Sequence, residues 1–282
     1  MIEKRKGVSA VAERIDRKAC KARARDLLAE AQVSPRRMVA LWLGLRAALS
    51  LLSGLGSGMN LLYVFLAVLT LMLSLTLDAG FVIYCMAVRR GERAEYLTLF
   101  DGFAFAGKII LLALLKTVFI ALWAMLFVIP GIIAFYRYRF AVYNLLENPE
   151  ISVMQALEMS KRQTNGFKGQ VFALDLSYLG WGVLAALPDM VYRQSIQLQV
   201  AKIVGQTSYW NFTDVMKYVD PNLFGMPAMA WQFLIVVWAI LVSVFYVAHY
   251  QCAELEYFDI AKRASGVGEP QGAESRAESG GF

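Results

Sequence analysis

The sequence contains few of the residues from which catalytic and metal-binding sites are usually built. A single histidine, His249, excludes motifs that need two histidine ligands, such as H-E-x-x-H. The three cysteines, Cys20, Cys85 and Cys252, lie far apart and form no C-x-x-C, which excludes a disulfide scaffold and a cysteine-rich zinc site. We therefore expect a protein that is not an enzyme and that binds no metal and no cofactor.

Charged residues are also scarce, at 18% of the chain against about 25% in a typical soluble protein. Hydrophobic residues make up 58%, and they are concentrated in long runs. The run from Met59 to Leu77 carries no charge, and a helix of that length, at about 1.5 Å per residue, crosses the roughly 30 Å of a hydrocarbon core. The composition therefore predicts an integral membrane protein.

The apolar runs divide into six predicted membrane spans, each bounded by charges, glycine or proline. The stretch from Ile109 to Tyr136 is too long for one upright span, and we divide it at Pro130-Gly131, because proline interrupts a helix and glycine permits a sharp turn. These two residues are the candidate turn between spans, with a gating hinge as the alternative. The predicted spans are residues 38–52, 59–79, 109–129, 132–146, 170–187 and 227–250.

The predicted fold is all-α, a polytopic membrane protein with a six-helix transmembrane bundle in residues 38–260. A basic arm, residues 1–37, precedes the bundle and contains an N-terminal amphipathic helix. Short amphipathic helices are expected on the cytoplasmic side, after the capping-box residues Ser152 and Gln155, and on the external side, within a long loop over 188–226. Residues 261–282 are rich in glycine, serine and glutamate and are predicted to form a disordered tail.

The distribution of basic residues predicts the orientation in the membrane. The segments on one side of the six spans hold 21 of the 28 lysines and arginines, and those on the other side hold three. Because basic loops stay in the cytoplasm, both termini are expected there.

The N-terminal arm has 11 basic residues against five acidic ones, directly before a hydrophobic span. A basic arm can bind nucleic acid, but no aromatic residues are interleaved with these bases, so a membrane surface is the favoured partner. The alternative is that the bases only set the orientation during insertion. The candidate contacts to anionic lipid are Arg17, Lys18, Lys21, Arg23, Arg25, Arg89 and Arg90.

Charged residues inside or near the predicted spans are the main candidates for a functional site. They are Arg46, Asp78, Lys116, Arg137, Arg139 and Asp175. They are expected to face the bundle interior and to pair, either as structural salt bridges or around a polar cavity. Arg46 and Asp175 have matching depths and form a plausible pair. Four bases against two acids leave an excess of positive charge, for which an anion such as a lipid phosphate is the natural ligand.

Several short motifs occur in a fixed order along the chain: KARAR at 21–25, LFDGF at 99–103, IPGI at 129–132, YRY at 136–138, LLENP at 145–149 and LDLSYLGW at 174–181. Over residues 15–260 they resemble the bacterial membrane family named domain of unknown function 975. That family is in turn distantly similar to the membrane domain of glycerophosphodiester phosphodiesterases. The resemblance implies a six-helix bacterial membrane protein and supplies no activity.

The sequence therefore favours a non-enzymatic accessory or lipid-interacting membrane protein. Its expected partners are membrane phospholipids and, as a second class, other membrane proteins, with no nucleic acid. The alternative is a transporter or channel for a small, anionic solute that uses the intramembrane charges, although no inverted repeat is evident.

Overall fold

A computed structural model describes residues 15–54, 60–206, 219–223 and 225–268, and these are almost entirely helical. No β-strand occurs in these residues, apart from one isolated bridge between Leu223 and Met226. The elements are α1 (Arg17–Ala29), α2 (Pro35–Gly54), α3 (Asn60–Arg90), a 3₁₀ helix (Tyr96–Phe105), α4 (Ala106–Leu126), α5 (Val128–Arg137), α6 (Ala141–Glu147), α7 (Val153–Gln163), α8 (Lys168–Gln206) and α9 (Ala228–Ser265). The predicted all-α class is confirmed.

The long helices α3 and α9 each have a buried half and an exposed apolar half. In α3, Tyr84 is fully buried, whereas Leu61 is 86% exposed. In α9, Tyr257 is fully buried, whereas Met229 is 85% exposed. The buried halves pack with α1, the 3₁₀ helix, α6 and α7 into one compact end, which we call the cap. The exposed apolar halves have the surface expected of a protein in lipid.

Among the residues that the structure describes, four helical segments are long and apolar enough to cross a membrane: Leu61–Arg90, Tyr96–Leu126, Lys168–Gly205 and Ala228–Ser265. They support a multi-pass membrane protein. The predicted span 38–52 lies within α2, which is not among these four segments. A total of six crossings therefore stays a prediction.

The turn between α4 and α5 lies earlier than the sequence predicted. The chain reverses at Phe127, whose backbone is extended, and Pro130 and Gly131 belong to the first turns of α5. Proline is tolerated there because the first amide groups of a helix have no partner within it. A Cβ on Gly131 would lie 2.8 Å from the Cβ of Ala124, so this glycine permits α5 to pack closely along α4.

The predicted span 132–146 is interrupted rather than continuous, because α5 ends at Arg137 and α6 begins at Ala141. Side chains of α7 supply hydrogen bonds at the interruption. Ser160 Oγ donates to the carbonyl oxygen of Arg137 at 2.9 Å. Thr164 Oγ1, directly after α7, lies 3.2 Å from the same oxygen and 2.8 Å from the carbonyl oxygen of Ser160. The amide of Phe140 donates to Ser160 Oγ at 3.1 Å. With ten residues, about 15 Å at 1.5 Å per residue, α5 alone reaches across only half of a hydrocarbon core.

The Ser152 capping box predicted from the sequence is confirmed. Ser152 Oγ accepts a hydrogen bond from the Gln155 amide at 3.2 Å, and Gln155 Oε1 accepts one from the Ser152 amide at 2.8 Å. This capping box begins α7, and α7 buries Val153, Ala156 and Leu157 in the compact end that we call the cap.

The disordered tail predicted for residues 261–282 begins before the last helix has ended. Helix α9 continues to Ser265 and ends at Gly266, whose φ of 62° suits glycine at a helix C-terminus. Residues 269–282, most of the predicted tail, lie outside the described residues, as do residues 1–14 of the basic arm.

Helix α8 does not stop before Pro188, where the sequence predicted a loop. It continues to Gln206, and the residues expected to form a separate external helix are part of it. Pro188 has no amide hydrogen, so the carbonyl oxygen of Leu184, one turn earlier, loses its usual partner. The indole nitrogen of Trp238 in α9 donates to that oxygen at 2.8 Å. A neighbouring helix thus replaces the hydrogen bond that proline removes, as membrane helices require.

Replacing Trp238 by Phe is expected to lower the free energy of unfolding by about 1–3 kcal/mol, because it leaves the Leu184 carbonyl without a partner. Thermal unfolding of the purified protein in detergent measures the change. The control is Trp181→Phe, since Trp181 stacks on Tyr246 at 6.0 Å and phenylalanine keeps a ring in that place. Equal free energies of unfolding for both variants and the parent would show that the hydrogen bond from Trp238 to the Leu184 carbonyl does not stabilise α8 at Pro188.

Candidate functional site

One cavity among the described residues is a groove of about 480 Å³ between α2, α3, α8 and α9. Helix α9 forms its floor, α2 and α3 form one wall, and α8 forms the other. The lining residues are Trp42, Arg46, Asp78, Phe81, Val82, Asp175, Tyr178, Leu179, Gly182, Tyr246, Val247, Tyr250 and Gln251. We call this cavity the groove. Its volume lies within the range of about 300–1,000 Å³ that small-molecule sites occupy.

Asp175 is the carboxylate on the α8 wall, and two tyrosine hydroxyls bind it. Tyr250 donates to Asp175 Oδ1 at 2.6 Å, and Tyr136 donates to Asp175 Oδ2 at 2.8 Å. Arg139 Nη2 lies 3.7 Å from Oδ1. The prediction that Asp175 pairs with a basic residue of another segment is thereby confirmed for Arg139.

Arg139 makes its shortest carboxylate contacts with Glu254. Its Nε lies 2.5 Å from Glu254 Oε1, and its Nη2 lies 3.2 Å from Oε2, so the pair is bidentate. Arg139 also donates to the hydroxyl of Tyr250. A chain of hydrogen bonds therefore runs from Glu254 through Arg139 and Tyr250 to Asp175.

Arg46 pairs with Asp78 and not with Asp175, so the pairing inferred from matching depths is wrong. Arg46 Nη1 and Trp42 Nε1 both donate to Asp78 Oδ1, the tryptophan at 3.1 Å. Asp78 lies on α3, the direct neighbour of α2, whereas Asp175 lies on the opposite wall of the groove.

The Arg46–Asp78 pair and the chain of hydrogen bonds from Glu254 to Asp175 together form what we call the polar layer. Its residues are Arg46, Asp78, Arg139, Asp175, Tyr250 and Glu254. From Asp78 to Asn60, and from Tyr250 to Ala228, the helices rise about 27–33 Å at 1.5 Å per residue, close to the thickness of a hydrocarbon core. The polar layer therefore lies where the exposed apolar halves of α3 and α9 meet the cap.

The other two intramembrane bases have no acidic partner among the described residues. Lys116 Nζ lies 5.6 Å from the centre of the Phe135 ring, and the Arg137 guanidinium lies 6.0 Å from the centre of the Trp123 ring. The Nε of Arg137 is buried without a hydrogen-bond partner. Arg137 thus has no carboxylate to balance it among the described residues, and Lys168 is close enough to repel it.

Several candidate lipid contacts are engaged within the cap. Arg23 and Arg89 both bind Glu256, at 2.6 and 2.8 Å, and Arg89 also binds Asp259. The hydrogen bond to Glu256 raises the pKa of the Arg23 guanidinium. Lys21 Nζ lies 4.2 Å from the centre of the Tyr178 ring.

The remaining candidates lie on the surface. Lys18 and Arg25 are exposed, and the Arg90 side chain is 51% exposed, with its nearest carboxylates at 3.8 and 3.9 Å. Arg17 is also exposed and donates to the carbonyl oxygen of Ala173 at 3.3 Å. These four residues keep positive charge at the surface of the cap.

Two acidic residues at the end of the last predicted span, Glu254 and Glu256, belong to these ion pairs although they are not among the residues singled out from the sequence. Both are buried, with 2% and 5% of their surface exposed. The sequence does contain a sign that the last helix extends through both residues, because no glycine or proline separates them from the apolar run before them. In the structure α9 continues through both.

Residues 125–263 match the model of a protein family described as "Protein of unknown function (DUF975)". The chain is similar to that family over this region. The match contains α5 to α9, with Arg139, Asp175 and Glu254, and leaves Arg46 and Asp78 outside it. No curated protein and no solved structure matches the chain. The family supplies no activity, so the function has to be argued from the geometry.

Proposed function

We propose that this protein is a non-enzymatic component of the bacterial cytoplasmic membrane, with six crossings and both termini in the cytoplasm, that binds anionic phospholipid at the cap. The observation that supports this is the position of exposed basic side chains. Those at the cap include Lys18, Arg25, Arg36, Arg37, Arg90, Arg93, Lys161, Arg162 and Arg263, whereas Arg193 and Lys202 lie towards the far end of α8. Bases gathered beside an anionic leaflet each contribute about 1 kcal/mol to binding.

Arg137 and Lys168 suggest a second site at which an anionic phospholipid would bind. Both are half-buried bases for which the described part of the chain supplies no carboxylate partner, and exposed apolar side chains such as Ile133 and Phe172 lie near them in sequence on α5 and α8. A phosphate group would neutralise the pair, since arginine binds phosphate with charge-assisted hydrogen bonds.

The double variant Lys18→Gln/Arg25→Gln is expected to weaken the retention of phosphatidylglycerol by about tenfold or more, because two exposed bases contribute about 1 kcal/mol each. Native mass spectrometry from nanodiscs with equal phosphatidylglycerol and phosphatidylcholine measures this retention. The matched control, Arg193→Gln/Lys202→Gln, removes the same charge at the far end of α8. Equal retention of both lipids by the parent, or equal loss in both double variants, would contradict the proposal.

The second candidate function is transport of a small solute through the groove. The interruption between α5 and α6 favours it, because transporters often build their sites from discontinuous helices. The groove lining has two carboxylates and one guanidinium, so it does not favour the anionic solute that the sequence suggested.

A further inference from the structure

We propose that the groove binds an organic cation, a ligand with a primary or quaternary ammonium group, and that Asp175 is its counter-ion. The proposal rests on the carboxylates and aromatic rings that line one cavity. The groove is separate from the exposed bases of the cap, so this site does not depend on phospholipid binding there.

The charges around the groove leave Asp175 as the acid with the weakest compensation. Asp78 has a direct hydrogen-bonded partner in Arg46. Among the described residues, the hydrogen bonds to Asp175 come from two tyrosine hydroxyls, and its basic partner Arg139 lies at 3.7 Å. Arg139 is shared with Glu254, to which it makes a closer, bidentate contact. An ammonium group in the groove would give Asp175 a cationic partner that it does not share.

Aromatic side chains are prominent in the lining of the groove, and aromatic rings attract cations. Trp42 and Phe81 stack at 4.6 Å between ring centres on one wall. On the other side, the Tyr178 ring lies 6.4 Å from that of Tyr246 and 5.3 Å from that of Tyr250. Aromatic rings placed around a carboxylate form the kind of site that recognises quaternary ammonium groups.

Lys21 shows that one of these rings already accepts an ammonium group. Helix α1 places Lys21 beside the groove, with its Nζ 4.2 Å from the centre of the Tyr178 ring on α8. Lys21 is also the nearest competitor of a cationic ligand, both for the ring and by repulsion. Removing its charge should therefore strengthen binding, while removing the charge of Asp175 should weaken it.

The test is isothermal titration calorimetry of the full chain in detergent, with tetraethylammonium chloride as the probe and sodium butanesulfonate as an anion of similar size. We expect saturable binding of tetraethylammonium and none of butanesulfonate. Asp175→Asn should weaken the affinity at least tenfold. The control Asp189→Asn, which removes a carboxylate paired with Arg193 farther along α8, should leave it unchanged.

Two further variants keep the test decisive if Asp175→Asn does not fold. Lys21→Gln should raise the affinity for tetraethylammonium, and Tyr178→Leu should lower it. Preference for butanesulfonate, or equal affinities in the parent, Lys21→Gln and Tyr178→Leu, would overturn the proposal.

The ammonium group can belong to a soluble amine or to a phosphatidylethanolamine headgroup. Repeating the titration in nanodiscs of phosphatidylglycerol, with and without phosphatidylethanolamine, separates these sources. A loss of tetraethylammonium affinity when phosphatidylethanolamine is present assigns the site to the headgroup, and an unchanged affinity assigns it to a soluble cation.

Discussion

Replacing Arg139 by Met is expected to lower the free energy of unfolding by about 3–5 kcal/mol, because it leaves Glu254 as an unpaired charge in the interior. Glu254 is 2% exposed and takes two hydrogen bonds from Arg139. Tyr250 would lose a donor at the same time. Chemical unfolding of the purified protein in mixed micelles measures the change.

The matched control for this variant is Arg162→Met. Arg162 also pairs with a glutamate, Glu158, at 2.6 Å, but both side chains are more than half exposed. Exposed pairs of this kind contribute about 0.3–0.5 kcal/mol. The double variant Arg139→Met/Glu254→Leu should recover much of the lost stability, because no charge is then stranded. Similar losses for Arg139→Met and Arg162→Met would show that the buried pair is not a structural centre.

Replacing Gly80 or Gly102 by Ala is expected to destabilise the protein by at least about 1–3 kcal/mol each, because neither site has room for a methyl group. A Cβ on Gly80 would lie 1.8 Å from the carbonyl oxygen of Leu99, and one on Gly102 would lie 2.1 Å from that of Thr76. The obstacles are backbone atoms, so α3 and the 3₁₀ helix would have to separate.

Gly180→Ala is the control, since no atom outside its own helix lies within 4 Å of the added Cβ. Alanine is about 1 kcal/mol better than glycine inside a helix, so this variant should be as stable as the parent or more stable. Thermal unfolding of the three single variants gives the comparison. A Gly80→Ala protein with the stability of Gly180→Ala would rule out the close backbone contact.

Much of the fold could be predicted from the sequence, because long apolar runs are sufficient to identify membrane helices. The interruption after Arg137 could not. The Tyr136-Arg137-Tyr138-Arg139 segment contains no glycine or proline, and the hydrogen bonds that stabilise the break are made with Ser160 on another helix. The continuation of α8 through Pro188 has the same cause, since Trp238, the donor to the Leu184 carbonyl, lies 54 residues after Leu184.

The site was partly predictable for a related reason. A carboxylate within a predicted membrane span, such as Asp175, needs partners, so a basic neighbour could be expected from the sequence alone. The identity of that basic neighbour could not be predicted. Counting residues from the ends of α2 and α8 gives the depth of each side chain but does not show which helices lie next to each other. Arg46 has the right depth for Asp175, yet it faces Asp78 on the adjacent helix.

The contact between α1 and α9 also sets the order in which the protein can be completed during its synthesis. Arg23 and Glu256 are 233 residues apart in sequence. At about 5–20 residues per second, a ribosome needs about 12–47 s to make the chain between them. During that time Cys20, Ala24 and Leu28, the buried face of α1, cannot yet pack against α9. Helix α1 thus leaves the ribosome well before α9 but is among the last to reach its final position, and a chain truncated before α9 leaves this apolar face uncovered.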